Sequence, residues 1–103
     1  MLTPASLVIR LHPNDDVVIA RQQLVGGTVL VGENVKVAGL VPPGHKIATR
    51  ALRAGEPVRR YNQIIGFASR PIGAGAHVHT QNLDMGPDKG YFERDYAFGQ
   101  DVK

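Results

Sequence analysis

The apolar positions of this chain fall in short runs: SLVIRL, DVVIA, TVLVG, VKVAGL, HKIAT, QIIGFA and HVHT. Most are of strand length, rich in valine and isoleucine, and bounded by Gly, Pro, Asn or Asp, which is the pattern of short β-strands closed by turns. No long stretch keeps a 3.6-residue apolar period. The one arguable helix is NDDVVIARQQL, where Asn14 or Asp15 could act as N-cap. Its Val17, Val18 and Ile19 are β-branched and equally at home in a strand, so strand is the preferred reading. A mostly β chain is expected.

An internal repeat sharpens this. The pattern apolar-x-x-Gly-x-x-apolar recurs as Leu24/Gly27/Leu30, Val41/Gly44/Ile47, Leu52/Gly55/Val58 and Ile72/Gly75/Val78. Each copy reads as a strand end, a tight turn with glycine at positive φ, and the next strand. Short strands joined in this way predict a compact barrel-like or folded-ribbon domain. Residues 85–103 differ: they open with Gly and Pro and hold Tyr91, Phe92, Tyr96 and Phe98. They are expected to form a short irregular C-terminal tail that docks onto a partner, with packing against its own domain as the alternative.

Composition narrows the classes. At 103 residues the chain is sized for one small domain. A net charge of +3, scattered without a basic block, and few aromatics give no platform for nucleic acid. No apolar run is long enough to cross a bilayer. The N-terminal stretch lacks a basic leader with an apolar run, so cytoplasmic residence is expected. Cysteine is absent, which removes disulfides, thiolate ligands and cysteine nucleophiles.

Candidate chemistry therefore centres on histidine. In AGAHVHTQN, His77 and His79 are two apart and would share one face of a strand. A metal needs at least three ligands, and spacing alone supplies only this pair, so ligands shared with a partner are favoured over a self-contained centre. His45 in PPGHKIA and His12 in RLHPND complete the set. Histidines in or beside Gly turns would converge if those turns clustered on one sheet edge. The Gly44-His45-Lys46 turn can be read as an anion site, with outward backbone N–H groups beside an imidazole and an ammonium. A satisfied turn histidine and a solvated lysine are the equal alternative. Asp15 and Asp16 read as a turn or cap rather than a paired acid and base. No nucleophile elbow or phosphate loop is present, and no residue is singled out as catalytic.

The segments VIRLHPNDDVVIA and VPPGHKIATRALRAGEPVRRYNQIIGFASRPIGAGAHVHTQNL resemble the SAF domain of the altronate/galactarate dehydratase family, from about residue 7 to about residue 83. The most specific pieces are GHKIA, EPVRRYNQIIG and AHVHTQN. The resemblance implies a β-clip-like SAF fold over residues 1–84 and a place in a carbon–oxygen lyase. The chain would be its small subunit, inactive alone, beside a large catalytic subunit, and a homo-oligomer is also compatible. It further implies a hydroxy-acid substrate of the sugar-acid type, and a divalent metal, iron or manganese, held mainly by the large subunit.

A related branch, the sulfolactate sulfo-lyases, and non-enzymatic sugar- or protein-binding SAF modules are the alternatives. Carried over by position, the family's HPxDNV pattern falls on His12, Pro13, Asp15, Asp16 and Val17, with Asp16 where Asn is usual. Its HVHxHN ending falls on His77 to Asn82, with Gln81 where a third histidine is common. The expected role is carboxylate binding and active-site closure by His45, Lys46, His77, His79 and Asn82, with His12 beside them.

Overall fold

The computed structural model describes residues 7–85. The tail and its docking role therefore lie outside the described residues, Met85 apart. Four turns organise the chain. In each, a backbone N–H donates to the carbonyl three residues back, at 3.0 to 3.2 Å: Thr28 to Val25, His45 to Pro42, Glu56 to Arg53 and Ala76 to Gly73. The third residue of each turn is a glycine, Gly27, Gly44, Gly55 or Gly75, with φ between +80° and +94°. That is the signature of a type II turn, where a side chain at this position would be strained. The apolar flanks of all four repeats are 3% exposed or less. Each repeat is thus a corner with two side chains anchored in the core. The leading flanks pair as isolated antiparallel bridges, Leu24 with Val41 and Leu52 with Ile72.

Among the described residues, nine short strands follow from these corners: β1 (Val8–Ile9), β2 (Val17–Ala20), β3 (Val29–Leu30), β4 (Val35–Lys36), β5 (Lys46–Ala48), β6 (Pro57–Arg60), β7 (Gln63–Ala68), β8 (His77–Val78) and β9 (Leu83–Asp84). They form an antiparallel sheet ordered β1-β2-β5-β8, a β3-β4 pair, and a sheet ordered β6-β7-β9. Two apolar clusters fill the interior. Val8, Val18, Ala20, Leu24, Leu30, Val37, Val41 and Ile47 make one, and Val17, Ala48, Leu52, Val58, Ala68, Ile72 and Val78 make the other. Alternation along a strand puts successive side chains on opposite faces. Val17 and Val18 in β2, and Ile47 and Ala48 in β5, accordingly serve different clusters.

The mostly β expectation holds, and NDDVVIARQQL contains strand β2 rather than a helix. TVLVG and VKVAGL contribute only two strand residues each, because Val31–Glu33 forms a 3-10 turn between them. Strands β6 and β9 escape the apolar-run reading, since Arg59, Arg60 and Asp84 dilute their hydrophobicity. The last described strand is therefore β9, beyond the HVHT run. Among the described residues no helix is long and apolar enough to cross a membrane.

Two buried acids tie the halves together. Asp15 accepts the N–H groups of Tyr61 and Asn62, each at 2.6 Å. Those two residues have φ of +55° and +62°, so the β6–β7 hairpin closes through a type I′ turn with its donors held by Asp15. The Asp16 carboxylate accepts Arg59 N–H at 2.8 Å and Arg50 Nε–H at 3.0 Å. Its backbone N–H donates to Arg59 O, and its carbonyl accepts Thr49 N–H. The turn or cap role expected of this pair is what they perform, across 34 to 47 residues of sequence. Nearby, Arg10 pairs with Glu33 at 2.6 and 2.9 Å and donates to the carbonyls of His12, Pro13 and Asp15. Glu33 raises the Arg10 pKa further above its usual value.

Candidate functional site

Strands β5 and β8 lie side by side in register, Lys46 opposite Val78 and Ile47 opposite His77. Continuing that register by one residue sets His45 across from His79. The turn ending at His45 opens β5, and the turn ending at Ala76 opens β8, so two of the four repeat corners deliver histidines to one sheet edge. His45 Nδ1 stands 2.8 Å from His77 Nε2. The rings of His45 and His79 lie 4.5 Å apart between centroids, and those of His77 and His79 lie 5.6 Å apart at an interplanar angle of 13°. One ligand nitrogen from each of His45, His77 and His79 falls within 4.8 Å of the others.

Local hydrogen bonds hold the His77–His79 segment. Asn82 is 8% exposed, and both ends of its amide are engaged: Oδ1 accepts His79 N–H at 3.0 Å and Nδ2 donates to His77 O at 2.9 Å. Asn82 N–H donates to His79 O, closing a small loop around the segment. In the structure Asn82 therefore positions the two histidines. Gln81 touches His77 through long contacts, 3.4 Å to Nδ1 and 3.4 Å to O. The third imidazole comes from His45, 32 residues upstream of His77.

His12 is not part of this group. Its Nδ1 accepts Asn14 N–H at 3.0 Å, and its carbonyl is bound by Arg10 and Asp15, which makes it a turn residue in these contacts. The backbone part of the anion-site reading is corrected by the structure. Gly44 N–H donates to Ala20 O at 2.8 Å and His45 N–H to Pro42 O at 3.2 Å, so neither is free for an anion. What this edge offers a ligand is side chains, the three imidazoles of His45, His77 and His79; Lys46 pairs with Val78, so its side chain leaves β5 on the opposite face.

Burial lowers the His77 pKa below the ordinary histidine value of 6.5, and the neighbouring His45, His79 and Lys46 lower it further. At neutral pH His77 is thus an uncharged imidazole, able to accept a proton or a metal but carrying no charge of its own. Burial also lowers the Lys46 pKa, helped by Arg60. In the alkaline window below 10.5 the unfolded chain then binds more protons at Lys46 than the folded one, so stability is expected to rise with pH across that window. Thermal melts over that range check this: Lys46→Met should show a shallower rise than the parent chain. An unchanged slope would mean that Lys46 is solvated like any surface lysine.

The geometry can be set beside known proteins. Residues 6–86 match the profile of the family described as the altronate/galactarate dehydratase SAF domain. Altronate dehydratase of Bacillus subtilis is 32% identical over 76 residues, and altronate dehydratase of Escherichia coli is 37% identical over 76 residues. Each alignment takes in 72% of this chain but 15% of the dehydratase, so the chain spans a small part of those proteins. The (2R)-sulfolactate sulfo-lyase subunit alpha of Chromohalobacter salexigens is 31% identical over 83 residues, covering 71% of this chain and 88% of that subunit.

Proposed function

Because this chain belongs to the altronate/galactarate dehydratase SAF domain family, we propose that it is the small SAF subunit of a hydro-lyase that dehydrates a sugar acid, working beside a large catalytic subunit. Its histidine edge faces the active site, where it binds the substrate carboxylate and excludes water. The observation that carries this reading is the convergence of His45, His77 and His79 on one edge, inside the segment that matches the family.

Dehydration of a 2,3-dihydroxy acid removes the proton beside the carboxylate, and hydroxide leaves from the next carbon with the bonding electrons. The enol that remains becomes a 2-oxo acid. Imidazoles suit such a substrate, donating to its carboxylate and exchanging hydrogen bonds with its hydroxyls, and the Lys46 ammonium, felt electrostatically at His77, adds positive charge. Proton abstraction and hydroxide departure fall mainly to the large subunit and its divalent metal, for which iron or manganese is proposed.

A second reading rests on the match to 88% of a sulfo-lyase subunit alpha. Loss of sulfite from the carbon next to the hydroxylated one follows the same course with a different leaving group. Mixing the full chain with its large subunit separates these readings on altronate, galactarate and (2R)-sulfolactate. Formation of a 2-oxo acid from a sugar acid, only when both chains are present and weakened by His77→Ala, is the expected result. Sulfite release from sulfolactate alone would select the second reading. Full activity from the large subunit by itself would overturn both.

A further inference from the structure

We propose that His45, His77 and His79 form a transition-metal site that this chain occupies on its own, with coordination positions left open toward solvent. The inference rests on the geometry and not on the lyase reading. Two ligands at right angles on an ion with metal–nitrogen bonds of ~2.1 Å stand about 3.0 Å apart. The 2.8 Å between His45 Nδ1 and His77 Nε2 is close to that separation. The nitrogen of His79 completes a triangle no wider than 4.8 Å, which small side-chain rotations can contract onto one ion.

Three features make this more than a chance cluster. The ligand-bearing backbone is fixed, since His45 and Ala76 each close a type II turn and Asn82 holds the His77–His79 segment from both sides. The donors are three imidazoles at the adjoining ends of β5 and β8, with no acidic side chain among them. And three protein ligands leave room for water or an oxygen-bearing ligand, the arrangement typical of open sites.

Imidazole donors suit zinc, copper, nickel and iron, whereas magnesium, calcium and manganese favour oxygen. For an ion on this chain the donor set therefore favours iron over manganese. With His77 Nε2 on the metal, its Nδ1 carries a proton. Gln81, its amide turned so that oxygen faces His77, can accept a hydrogen bond from that N–H.

The test uses the full 103-residue chain without an affinity tag, titrated with Co(II) and followed by its visible absorption, and with Zn(II) by calorimetry. One ion per chain is expected. His45→Gln, His77→Gln and His79→Gln should each weaken binding by roughly tenfold or more. His12→Gln should bind as the parent does, and Mg(II) should not compete. Circular dichroism of each metal-free variant confirms its fold, and glutamine keeps the volume of the lost ring should alanine prove disruptive. Absence of Co(II) and Zn(II) binding by the parent chain, or undiminished binding after all three substitutions together, would overturn the site. Because no substrate is involved, its failure is distinct from failure of the lyase reading.

Discussion

Gly75→Ala is expected to leave little folded protein at room temperature. Gly75 has φ of +88°, and an added Cβ would collide with the carbonyl oxygen of Lys36, a backbone atom that cannot swing aside. The same residue donates its N–H to Ala48 O at 2.7 Å and accepts Ala38 N–H at 2.9 Å. It is therefore the point where the β3–β4 region, β5 and the turn before His77 are joined. Positive φ costs a side-chained residue about 1–2 kcal/mol, and crowding a packed interior adds typically 1–3 kcal/mol. Against a total stability of about 5 kcal/mol for so small a domain, that is most of the folding free energy.

Gly44→Ala is the matched control. Its φ is +80°, yet nothing lies within 4 Å of the added Cβ, so only the conformational cost of about 1 kcal/mol should appear. Urea denaturation followed by circular dichroism compares the two. If Gly75→Ala is no less stable than Gly44→Ala, the close approach to Lys36 is not what this glycine serves.

Asp16→Ala is expected to cost about 2–4 kcal/mol, since bonds to a charged acceptor are worth about 1.5–3 kcal/mol each and are not fully additive. The Asp16 side chain is 8% exposed, and its carboxylate holds Arg59 N–H and Arg50 Nε–H at once, joining β6 to the start of β2. Arg50 itself is half exposed, with 47% of its side chain accessible, so Arg50→Ala should cost below about 1 kcal/mol. Asp16→Asn keeps one oxygen for Arg59 N–H and should lie between the two. The resemblance to the family places Asn at this very position, in keeping with the backbone bond being the one that matters most. Equal losses in Asp16→Ala and Arg50→Ala would show instead that the ion pair dominates. Urea midpoints at neutral pH make the comparison.

Much of this protein is written locally. The four-fold glycine repeat determined the corners, because only glycine adopts the backbone angles of a type II turn without strain, and the flanking aliphatics determined what each corner buries. The apolar runs of β2 and β7 and the GHKIA and AHVHTQN segments were legible for the same reason: their signals lie within a few residues of one another. Two-residue strands such as β3 and β9 were not, since pairing with a distant neighbour defines them rather than their own composition.

The site was half visible. His77 and His79 announce themselves by spacing, whereas His45 joins them only because β5 pairs with β8 in one particular register. Asp15 and Asp16 read as an ordinary turn or cap until the fold brings them to backbone groups far along the chain. Sequence fixes what depends on local backbone geometry; the meeting of three imidazoles depends on hydrogen-bonded register between strands, which only the packed tertiary structure decides.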